Sequence, residues 1–300
     1  MAPTSRRTPF VSVVIPARDA AGTIGRCLDA LAAQQYPADR YEVLVVDNGS
    51  RDATAEIVSG KPRATLLTET KPGAYAARNR GVAAARGEIV AFTDADCMPA
   101  PDWLATAVAA IGDGASIVLG RRRAYRPSRA LRLLDAYEAA KEAFVFNSGD
   151  PMLAYGYTAN MAVSMEELQR QGGFAELMRG ADTEFVQAHV AHAAAMGVPH
   201  GRTLRYSSEM EIVHLEMRGI AMYYRKCFLY GRHRRRRMTG RYCRPLSRAE
   251  RMVVLRATIR EAGLGSVGRI GLMAVLGPGL TAWYAGRLSR SFSPIARSTP

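Results

Sequence analysis

The sequence predicts an α/β protein in which helices flank a mostly parallel β-sheet. Short apolar runs rich in β-branched residues alternate with segments of helical periodicity between residues 11 and 122. Several runs are apolar along their whole length, as expected of strands that are covered on both faces. Polar residues follow three of these runs, and ligands of parallel sheets bind beyond the carboxyl ends of the strands. We therefore expect a binding site at that edge of the sheet.

The first part of the chain contains five predicted strands. They are VSVVIPA at 11–17, YEVLVVD at 41–47, ATLLTE at 64–69, EIVAFTDADC at 88–97 and ASIVLGRR at 115–122. The predicted helices between them cover 22–34, 51–60, 74–87 and 101–111. In the first helix, Ile24, Leu28 and Leu31 share one face. Asp52 is expected to cap the second helix, and Gly87 is expected to close the third.

After residue 125 the pattern changes from regular alternation to longer helices. Residues 129–144 and 179–197 have the composition of helices, and NMAV at 160–163 resembles a strand. A short helix after NMAV is expected to end at Gly172–Gly173.

Basic residues are concentrated in the C-terminal part of the chain. Residues 217–300 hold 18 Lys and Arg but only two acidic residues, whereas the whole chain carries a net charge of +14. Such a bias indicates an anionic partner, either a membrane surface or a nucleic acid. We therefore divide the chain into a main domain at 1–215 and a basic helical extension at 216–300.

An uncharged segment within this extension, 270–286, lies between Arg269 and Arg287. It is short for a membrane span, and the Gly-Pro-Gly triplet at 277–279 is expected to interrupt a helix. Three interpretations stay open, namely helices in or dipping into an anionic membrane surface, a buried helical tail, and a transmembrane helix. The surrounding basic charge favours the first.

The four cysteines indicate a reducing compartment. They form neither a C-x-x-C pair nor a zinc-ligand spacing, which is typical of reduced cytosolic thiols. The N-terminal residues lack the apolar segment of a signal peptide. We expect a cytoplasmic protein that binds peripherally to the cytoplasmic face of a membrane.

Two carboxylates end the predicted fourth strand, Asp94 and Asp96, with Ala95 between them. Side chains at i and i+2 of a strand share a face, and two like charges there repel unless a cation lies between them. A Mg²⁺ or Mn²⁺ ion that also binds phosphates would satisfy both carboxylates. The alternative is a pair of solvated loop acids that cap the following helix.

Four further side chains are candidates for chemistry. Asp47 ends the second strand, where its carboxylate can accept a hydrogen bond from a base edge or stabilise the turn that follows. Asp182 and Glu184 open a predicted helix, whose dipole favours ionised acids and hence a general base, although Asp182 alone is equally consistent with a helix cap. His214 is a candidate metal ligand, or a histidine without a special role.

Three common catalytic motifs are missing from the sequence. G-x-G-x-x-G does not follow the first strand, and G-x-x-x-x-G-K-[ST] and G-x-S-x-G are not present. Dinucleotide-dependent dehydrogenase, P-loop and serine hydrolase functions are therefore unsupported.

In combination, these motifs resemble the inverting glycosyltransferases of family 2, which have the GT-A nucleotide-sugar-binding fold. The resemblance covers about residues 10–215. It rests on the order and spacing of four stretches, which are VSVVIPARDAAGTIGRCLDAL, YEVLVVDNGSRDAT, GAYAARNRGVAAARGEIVAFTDADCMPAPDWL and TANMAVSMEELQRQGGFAELMRGADTEF. It implies that residues 1–215 form a catalytic domain.

The resemblance implies a binding site for a nucleotide-diphosphate sugar, with a UDP-sugar favoured. Pro16, Ala17 and Arg18 would flank the nucleoside, and Asp47 would bind the base. Arg78 would approach the ribose or the diphosphate, with Arg80 as the competing residue. The opening strand is followed here by Arg18 and Asp19 instead of the Tyr-Asn pair that is usual in the family.

The resemblance also implies a divalent cation, Mg²⁺ or Mn²⁺, as cofactor. Asp94, Ala95 and Asp96 would line the diphosphate and the metal, with Asp96 the more direct ligand. His214 lies where many GT-A enzymes have a C-terminal metal-binding histidine.

On the acceptor side, the resemblance makes Asp182 the catalytic base. Asn160 and Glu184 would lie near the acceptor hydroxyl. Ala181 replaces the Glu that usually precedes the base, and no Gln-x-x-Arg-Trp motif is present, so processive polysaccharide synthesis is not indicated.

The expected function is therefore inverting sugar transfer to a hydroxyl acceptor, either lipid-linked or in cell-surface polysaccharide synthesis. The first alternative is a sugar-phosphate nucleotidyltransferase, although such enzymes carry a Gly-rich, Lys-bearing phosphate loop that the first strand here lacks. The second is a nucleic-acid-binding protein that uses the arginine run, which would leave the strand-end acids unexplained. We expect no nucleic-acid partner.

Overall fold

The structure is a computed structural model that describes residues 8–177, 179–217, 219–236 and 243–289. Its strands are β1 (Val11–Ala17), β2 (Tyr41–Asp47), β3 (Ala64–Thr68), β4 (Ile89–Thr93), β5 (Cys97–Pro99), β6 (Ile117–Ala124), β7 (Asn160–Ser164) and β8 (Leu204–His214). Its α-helices are α1 (Ile24–Ala32), α2 (Thr54–Ser59), α3 (Ala74–Ala84), α4 (Trp103–Gly112), α5 (Arg129–Asn147), α6 (Met165–Gln171), α7 (Ala181–Ala195), α8 (His200–Thr203), α9 (Ile220–Arg236), α10 (Arg248–Glu261) and α11 (Ser266–Leu288). The strands form one sheet in the order β3-β2-β1-β4-β7-β6-β8-β5.

The half of the sheet built from β1 to β4 is parallel, with β1 between β2 and β4. The register pairs Ala17 with Asp47 across β1 and β2, and Val14 with Phe92 across β1 and β4. Strand residues here are mostly buried on both faces, which explains their continuous apolar sequence. The carboxyl ends of β1, β2 and β4 lie at one edge, so the residues that follow them are neighbours.

The other half of the sheet is mixed. β7 runs antiparallel to both β4 and β6, β8 runs parallel to β6, and β5 pairs antiparallel with β8. The sequence pattern predicted neither β5, which has three residues, nor β8, whose sequence LRYSSEMEIVH is mostly polar. The predicted α/β fold is confirmed, and the parallel arrangement holds for its first four strands.

Two predicted helix caps are wrong. Helix α2 begins at Thr54, and the Asp52 carboxylate accepts hydrogen bonds from the backbone N–H groups of Thr54 (3.0 Å) and Ala21 (2.9 Å) without occupying the cap position. Helix α3 ends at Ala84, three residues before Gly87. The backbone N–H of Gly87 donates to the Ser12 hydroxyl at 2.8 Å, and a Cβ at Gly87 would lie 2.5 Å from the Ser12 nitrogen. Gly87 is therefore required by close approach to β1.

Helices α6 and α7 are joined by a buried ionic cluster around Glu167. Its Oε1 lies 2.9 Å from Nδ1 of His189, and its Oε2 accepts a hydrogen bond of 2.9 Å from Nε of Arg170. Burial alone would raise the pKa of the Glu167 carboxyl, but the hydrogen bonds from His189, Arg170 and Gln171 outweigh burial and lower that pKa to about 2. The ionised carboxylate is therefore part of the folded structure.

Helices α9 and α11 pack closely through glycines. A Cβ at Gly286 would lie 2.0 Å from the backbone oxygen of Phe228, and a Cβ at Gly231 would lie 2.0 Å from that of Trp283. Only the missing side chains allow this approach. Helix α11 continues through Pro278, so the expected interruption at 277–279 is wrong.

The C-terminal helices are attached to the sheet domain through α5. Leu131 and Leu134 of α5 form a small apolar cluster with Val275 of α11. Among the helices of the described ranges, none is both long enough and apolar enough to cross a membrane. Residues 237–242 of the arginine-rich run lie outside the described residues.

Candidate active site

The first part of the site is the turn that follows β2. Both carboxylate oxygens of Asp47 accept a hydrogen bond from the backbone N–H of Ser50 at 3.3 Å, and the Ser50 hydroxyl donates to the same carboxylate. A carboxylate has about four lone-pair sites, so this turn leaves acceptor capacity for a ligand. Asp47 is therefore both a turn residue and a group that can bind a base edge.

The residues predicted to flank the nucleoside lie beside this turn. The carbonyl oxygen of Ala17 accepts a hydrogen bond from the backbone N–H of Asn48 at 2.8 Å, which joins the ends of β1 and β2. The Arg18 side chain is 55% exposed and its Nε lies 3.9 Å from the Asp19 carboxylate. Pro16 is half-buried within β1. The Arg18 guanidinium is thus available to a ligand at the sheet edge.

Asn48 organises the opposite wall of this cleft, a role that sequence reasoning missed. Its buried amide nitrogen donates to the carbonyl oxygens of Glu69 and Lys71, both at 2.8 Å. Its side-chain oxygen accepts from the backbone N–H of Gly73 at 2.8 Å. These bonds fix the loop that leads from β3 into α3, and the signal in the sequence was only the Asn-Gly turn.

Asp94 and Asp96 lie in a turn between β4 and β5, and strand alternation does not place them. β4 ends at Thr93, and the backbone N–H of Cys97 donates to the carbonyl oxygen of Asp94 at 3.0 Å. The two carboxylates are near enough that the charge of Asp94 raises the pKa of Asp96. The two carboxylates are therefore close because of this turn and not because they share a strand face. Ala95, between them, is buried.

Asp94 is paired with a buried arginine from α3. Nη2 of Arg78 lies 2.5 Å from Oδ1 of Asp94, and the arginine side chain is only 5% exposed. Nε of Arg78 is buried without a hydrogen-bond partner among the described residues. The sequence left Arg78 and Arg80 as rivals, and burial beside Asp94 favours Arg78.

His214 reaches Asp96 because β5 and β8 are paired. The register sets Cys97 opposite His214, and the backbone N–H of Leu215 donates to the carbonyl oxygen of Asp96 at 2.8 Å. Nδ1 of His214 lies 3.3 Å from Oδ2 of Asp96 but does not have the geometry of a hydrogen bond. Although they are far apart in sequence, these residues form one cluster.

Burial controls the electrostatics of this cluster. Burial and the charge of Asp94 raise the pKa of Asp96 to about 6. Burial, together with the positive charge of Lys226, lowers the pKa of His214 to about 4, so its imidazole is neutral at pH 7. Two neighbouring carboxylates and a neutral imidazole at this distance form a site that favours an added cation, although Lys226 already offsets part of the negative charge of Asp96.

The donor set fits a divalent cation. Potential ligand atoms of Asp96, Cys97 and His214 lie within 4.8 Å of one another, and Nδ1 of His214 is buried without a hydrogen-bond partner in the described part of the chain. Burial raises the pKa of the Cys97 thiol well above its usual range, which keeps its sulfur protonated. Carboxylate oxygens suit both Mg²⁺ and Mn²⁺, and a neutral imidazole nitrogen is a common metal ligand. Asp96 and His214 are therefore the residues that would hold the ion.

Asp182 lies in the first turn of α7, beside the loop that precedes β7. Its Oδ1 accepts a hydrogen bond from its neighbour Thr183 N–H at 2.9 Å, and its Oδ2 is 3.4 Å from the N–H of Thr158. Burial raises its pKa, and the nearby Arg78 acts in the opposite direction. The pKa is therefore raised, whereas the sequence argument expected the helix dipole to favour the ionised acid. A raised pKa makes the carboxylate a stronger base.

The two acceptor-side candidates differ in position. Asn160 is fully buried, and its amide donates to the carbonyl oxygens of Arg121 and Met210, both at 2.8 Å, while its oxygen accepts from Nε1 of Trp103 at 2.7 Å. Its polar atoms are used within the sheet, so this geometry supports a structural role. Glu184 lies half-buried in the first turn of α7, two residues after Asp182.

Lys226 and Tyr75 are further members of the site that the sequence did not single out. Burial lowers the pKa of Lys226, and the negative charge of Asp96 acts against that effect. Tyr75 hydrogen-bonds to Asp182, and its ring lies under the Arg78 guanidinium at 5.3 Å. The sequence offered no signal for Lys226, because α9 reaches the site only through the tertiary fold.

Comparison with known proteins decides the family. The family described as "Glycosyl transferase family 2" matches residues 12–163, which is half of the chain and runs from the second residue of β1 to the fourth residue of β7. The chain belongs to glycosyl transferase family 2. The resemblance seen in the motifs is thereby confirmed, and the three strand-end acids lie within the matched region.

A solved relative supports the fold of this family 2 protein. The structure of the mannosyltransferase PcManGT from Pyrobaculum calidifontis, in complex with GDP-Man and Mn²⁺, aligns with a TM-score of 0.61 and 25% identity over 94% of this chain and 85% of that one. Glucosyl-3-phosphoglycerate synthase from Mycobacterium tuberculosis, in complex with Mn²⁺, UDP-glucose and phosphoglyceric acid, aligns at 0.52 with 19% identity over 86% and 81% of the two chains. The predicted GT-A fold is confirmed.

Among curated relatives, the glycosyltransferase AglE of Haloferax volcanii is 46% identical over 118 residues. The alignment covers 37% of this chain and 39% of AglE, so the chain matches well under half of this relative. The family is therefore established, while donor and acceptor have to be argued from the site.

Proposed function

We propose that this protein is an inverting glycosyltransferase that moves a sugar from a nucleotide-diphosphate sugar to an acceptor hydroxyl. The observation that carries the proposal is the position of Arg78. Its guanidinium lies 2.5 Å from Asp94 on the donor side and acts on the pKa of Asp182 on the acceptor side. One buried cation thus lies beside both the expected diphosphate site and the expected base.

The donor would bind across the carboxyl ends of β1, β2 and β4. Asp47 would accept a hydrogen bond from a ring N–H of the base, which uracil and guanine both offer. A UDP-sugar is our first choice, and the GDP-Man complex of the Pyrobaculum enzyme makes a GDP-sugar the second. Arg18 would contact the nucleoside from the exposed edge, and Arg78 the diphosphate.

The acids beyond β4 would hold a Mg²⁺ or Mn²⁺ ion, with Asp96 and His214 as ligands and Asp94 beside them. The ion would neutralise negative charge on the diphosphate as this group leaves. Lys226 and Arg78 add two protein cations near the same charge. Their electrostatic effect should be large, because the site is mostly buried.

Asp182 would remove the proton from the acceptor hydroxyl. The hydroxyl oxygen then bonds to the anomeric carbon from the face opposite the leaving group, and the bond from that carbon to the diphosphate oxygen breaks. The proton ends on Asp182, and the nucleoside diphosphate carries away the electron pair. A single displacement inverts the anomeric configuration.

The acceptor would be lipid-linked or part of a cell-surface polysaccharide, used at the cytoplasmic face of a membrane. We also propose that residues 1–215 form the catalytic domain and that 216–300 form a basic helical region, from which Lys226 reaches the site beside Asp96. In the described part of the chain Cys27, Cys97, Cys227 and Cys243 form no disulfide, which is consistent with a reducing compartment.

The test is nucleoside diphosphate release by the full-length protein from UDP-glucose, UDP-GlcNAc and GDP-mannose. A bacterial lipid extract supplies acceptors, and each donor is assayed with Mn²⁺, with Mg²⁺ and with EDTA. We expect metal-dependent release from donors of one base. Release of pyrophosphate from a nucleoside triphosphate and a sugar phosphate, without any turnover of the sugar nucleotides, would instead indicate a nucleotidyltransferase.

A further inference from the structure

Helix α11 has two apolar faces, of which only one is packed. Its buried positions are Leu272, Val275, Gly279 and Gly286. Its exposed large apolar residues are Val267, Ile270, Met273, Leu280, Tyr284 and Leu288, which are 44% to 78% exposed. These six are more than half of the eleven exposed large apolar side chains in the described residues.

The two sets lie on opposite sides of the helix. At 3.6 residues per turn, their mean directions differ by roughly 160°. The buried side meets α9 at Gly286 and Gly279 and meets α5 at Val275, so these two helices already cover it. The exposed side forms a stripe of apolar residues that runs along the helix from Val267 to Leu288.

Basic residues border this stripe. Viewed along the axis of α11, Arg269 and Arg287 lie in the same direction. That direction is roughly 20° from Leu280, which lies at one edge of the stripe. Their spacing of five turns would set both guanidinium groups in one row along the helix. Long basic side chains in such a row can extend to phosphate groups while the neighbouring apolar side chains enter a hydrocarbon layer.

We propose that the exposed stripe of α11 lies in the plane of a membrane and that its partner is an anionic lipid bilayer. The charge of this part of the sequence favours this partner, because residues 217–300 carry 18 basic residues against Glu250 and Glu261. A stripe covered by a second copy of the chain would bring two strongly basic regions together. Like charges in apposition oppose that arrangement.

The stripe also has a defined relation to the active site. One face of α9 contributes Lys226 beside Asp96, and another face carries Gly231 and Phe228 against α11. Packed helices lie about 8–10 Å apart, so α11 is one helix layer beyond the site. A bilayer on the stripe would therefore support an acceptor that is anchored in lipid, a consequence that rests on the proposed function, whereas the binding itself does not.

The test is sedimentation of the full-length protein with vesicles of phosphatidylcholine, with and without phosphatidylglycerol. We expect binding to the anionic vesicles that weakens with salt. Ile270→Glu and Leu280→Glu should each reduce the partition coefficient about tenfold, since each removes one inserted apolar side chain. Met196→Glu is the matched control, because Met196 is 67% exposed at the end of α7 and the substitution changes the charge equally.

Thermal unfolding of each variant checks that α11 keeps its packing. Variants that fold and bind anionic vesicles as tightly as the wild type would overturn the proposal. So would a wild-type dimer that the same substitutions dissociate, with no vesicle binding, because a second copy would then cover the stripe. Vesicle binding needs no sugar donor, so its failure is distinguishable from a failure of glycosyl transfer.

Discussion

Replacing Asp182 by Asn should remove the general base and leave the donor site intact. Positioned proton transfer contributes about 10²- to 10⁴-fold to a rate, which corresponds to about 3–5 kcal/mol of barrier. The structural cost should be small, because an Asn oxygen can keep the 2.9 Å hydrogen bond from Thr183. Of the two backbone N–H groups that the Asp182 carboxylate contacts, the one whose contact would be lost is Thr158, and that contact is already long at 3.4 Å. We expect kcat to fall by that factor and donor affinity to stay within about threefold.

The assay is steady-state transfer together with calorimetric titration of the nucleoside diphosphate. The wild-type rate should rise with pH as Asp182 loses its proton, and because burial raises the pKa of this carboxyl, the rise should lie above the usual aspartate value of 3.8. Glu184→Gln is the comparison variant and should not remove that pH dependence. Unchanged turnover in Asp182→Asn, or a parallel loss of donor affinity, would refute the base assignment.

Two further predictions concern stability. Gly286→Ala should lower the melting temperature, because the new Cβ would lie 2.0 Å from the Phe228 carbonyl oxygen. Gly277→Ala on the same helix is the control and should not lower it, because a Cβ there meets nothing within 4 Å. Equal melting temperatures for the two variants would contradict the α9–α11 packing. Glu167→Gln should reduce the fall in melting temperature that acidification causes in the wild type. Glu166→Gln, on the exposed side of the same helix, should leave that fall unchanged. The pKa of Glu167 is lowered from 4.5 to about 2, so its stabilisation is present above pH 4.5 and is lost as the pH falls towards 2. Melting temperatures between pH 7 and 2 test this, and an identical fall in Glu167→Gln would count against the ion cluster.

The parallel half of the fold was predictable because each of its strands carries its own signal. A strand covered on both faces must be apolar throughout, so β1, β2 and β4 are visible as apolar runs that end at Ala17, Asp47 and Thr93. The positions of the strand-end residues follow from the rule that parallel strands end at one edge. Asp47 and the Asp94–Asp96 turn could thus be found from local sequence alone.

The rest of the site depends on pairings that no local pattern encodes. β5 has three residues, and its partner β8 is largely polar, yet their pairing is what carries His214 to Asp96. Lys226 reaches the same cluster from α9, which follows β8 in the chain and comes close to Asp96 only in the folded structure. Asn160 was predicted to lie on the acceptor side, but its amide is buried and hydrogen-bonded to three protein groups. The sequence alone does not distinguish such an asparagine from one that faces a substrate.

The claim that the sheet edge binds a nucleoside diphosphate with a divalent cation has one direct test. The melting temperature is measured with UDP, GDP, dTDP and CDP, each with Mn²⁺, with Mg²⁺ and without metal, for the wild type, for Asp96→Ala and for the exposed control Asp39→Ala. Ligand at about 100 times its Kd stabilises the folded state by about 2.7 kcal/mol, which is a shift of several degrees. We predict a metal-dependent shift for one base, retained in Asp39→Ala and lost in Asp96→Ala. The absence of any shift, or a shift that Asp96→Ala retains, would contradict the account.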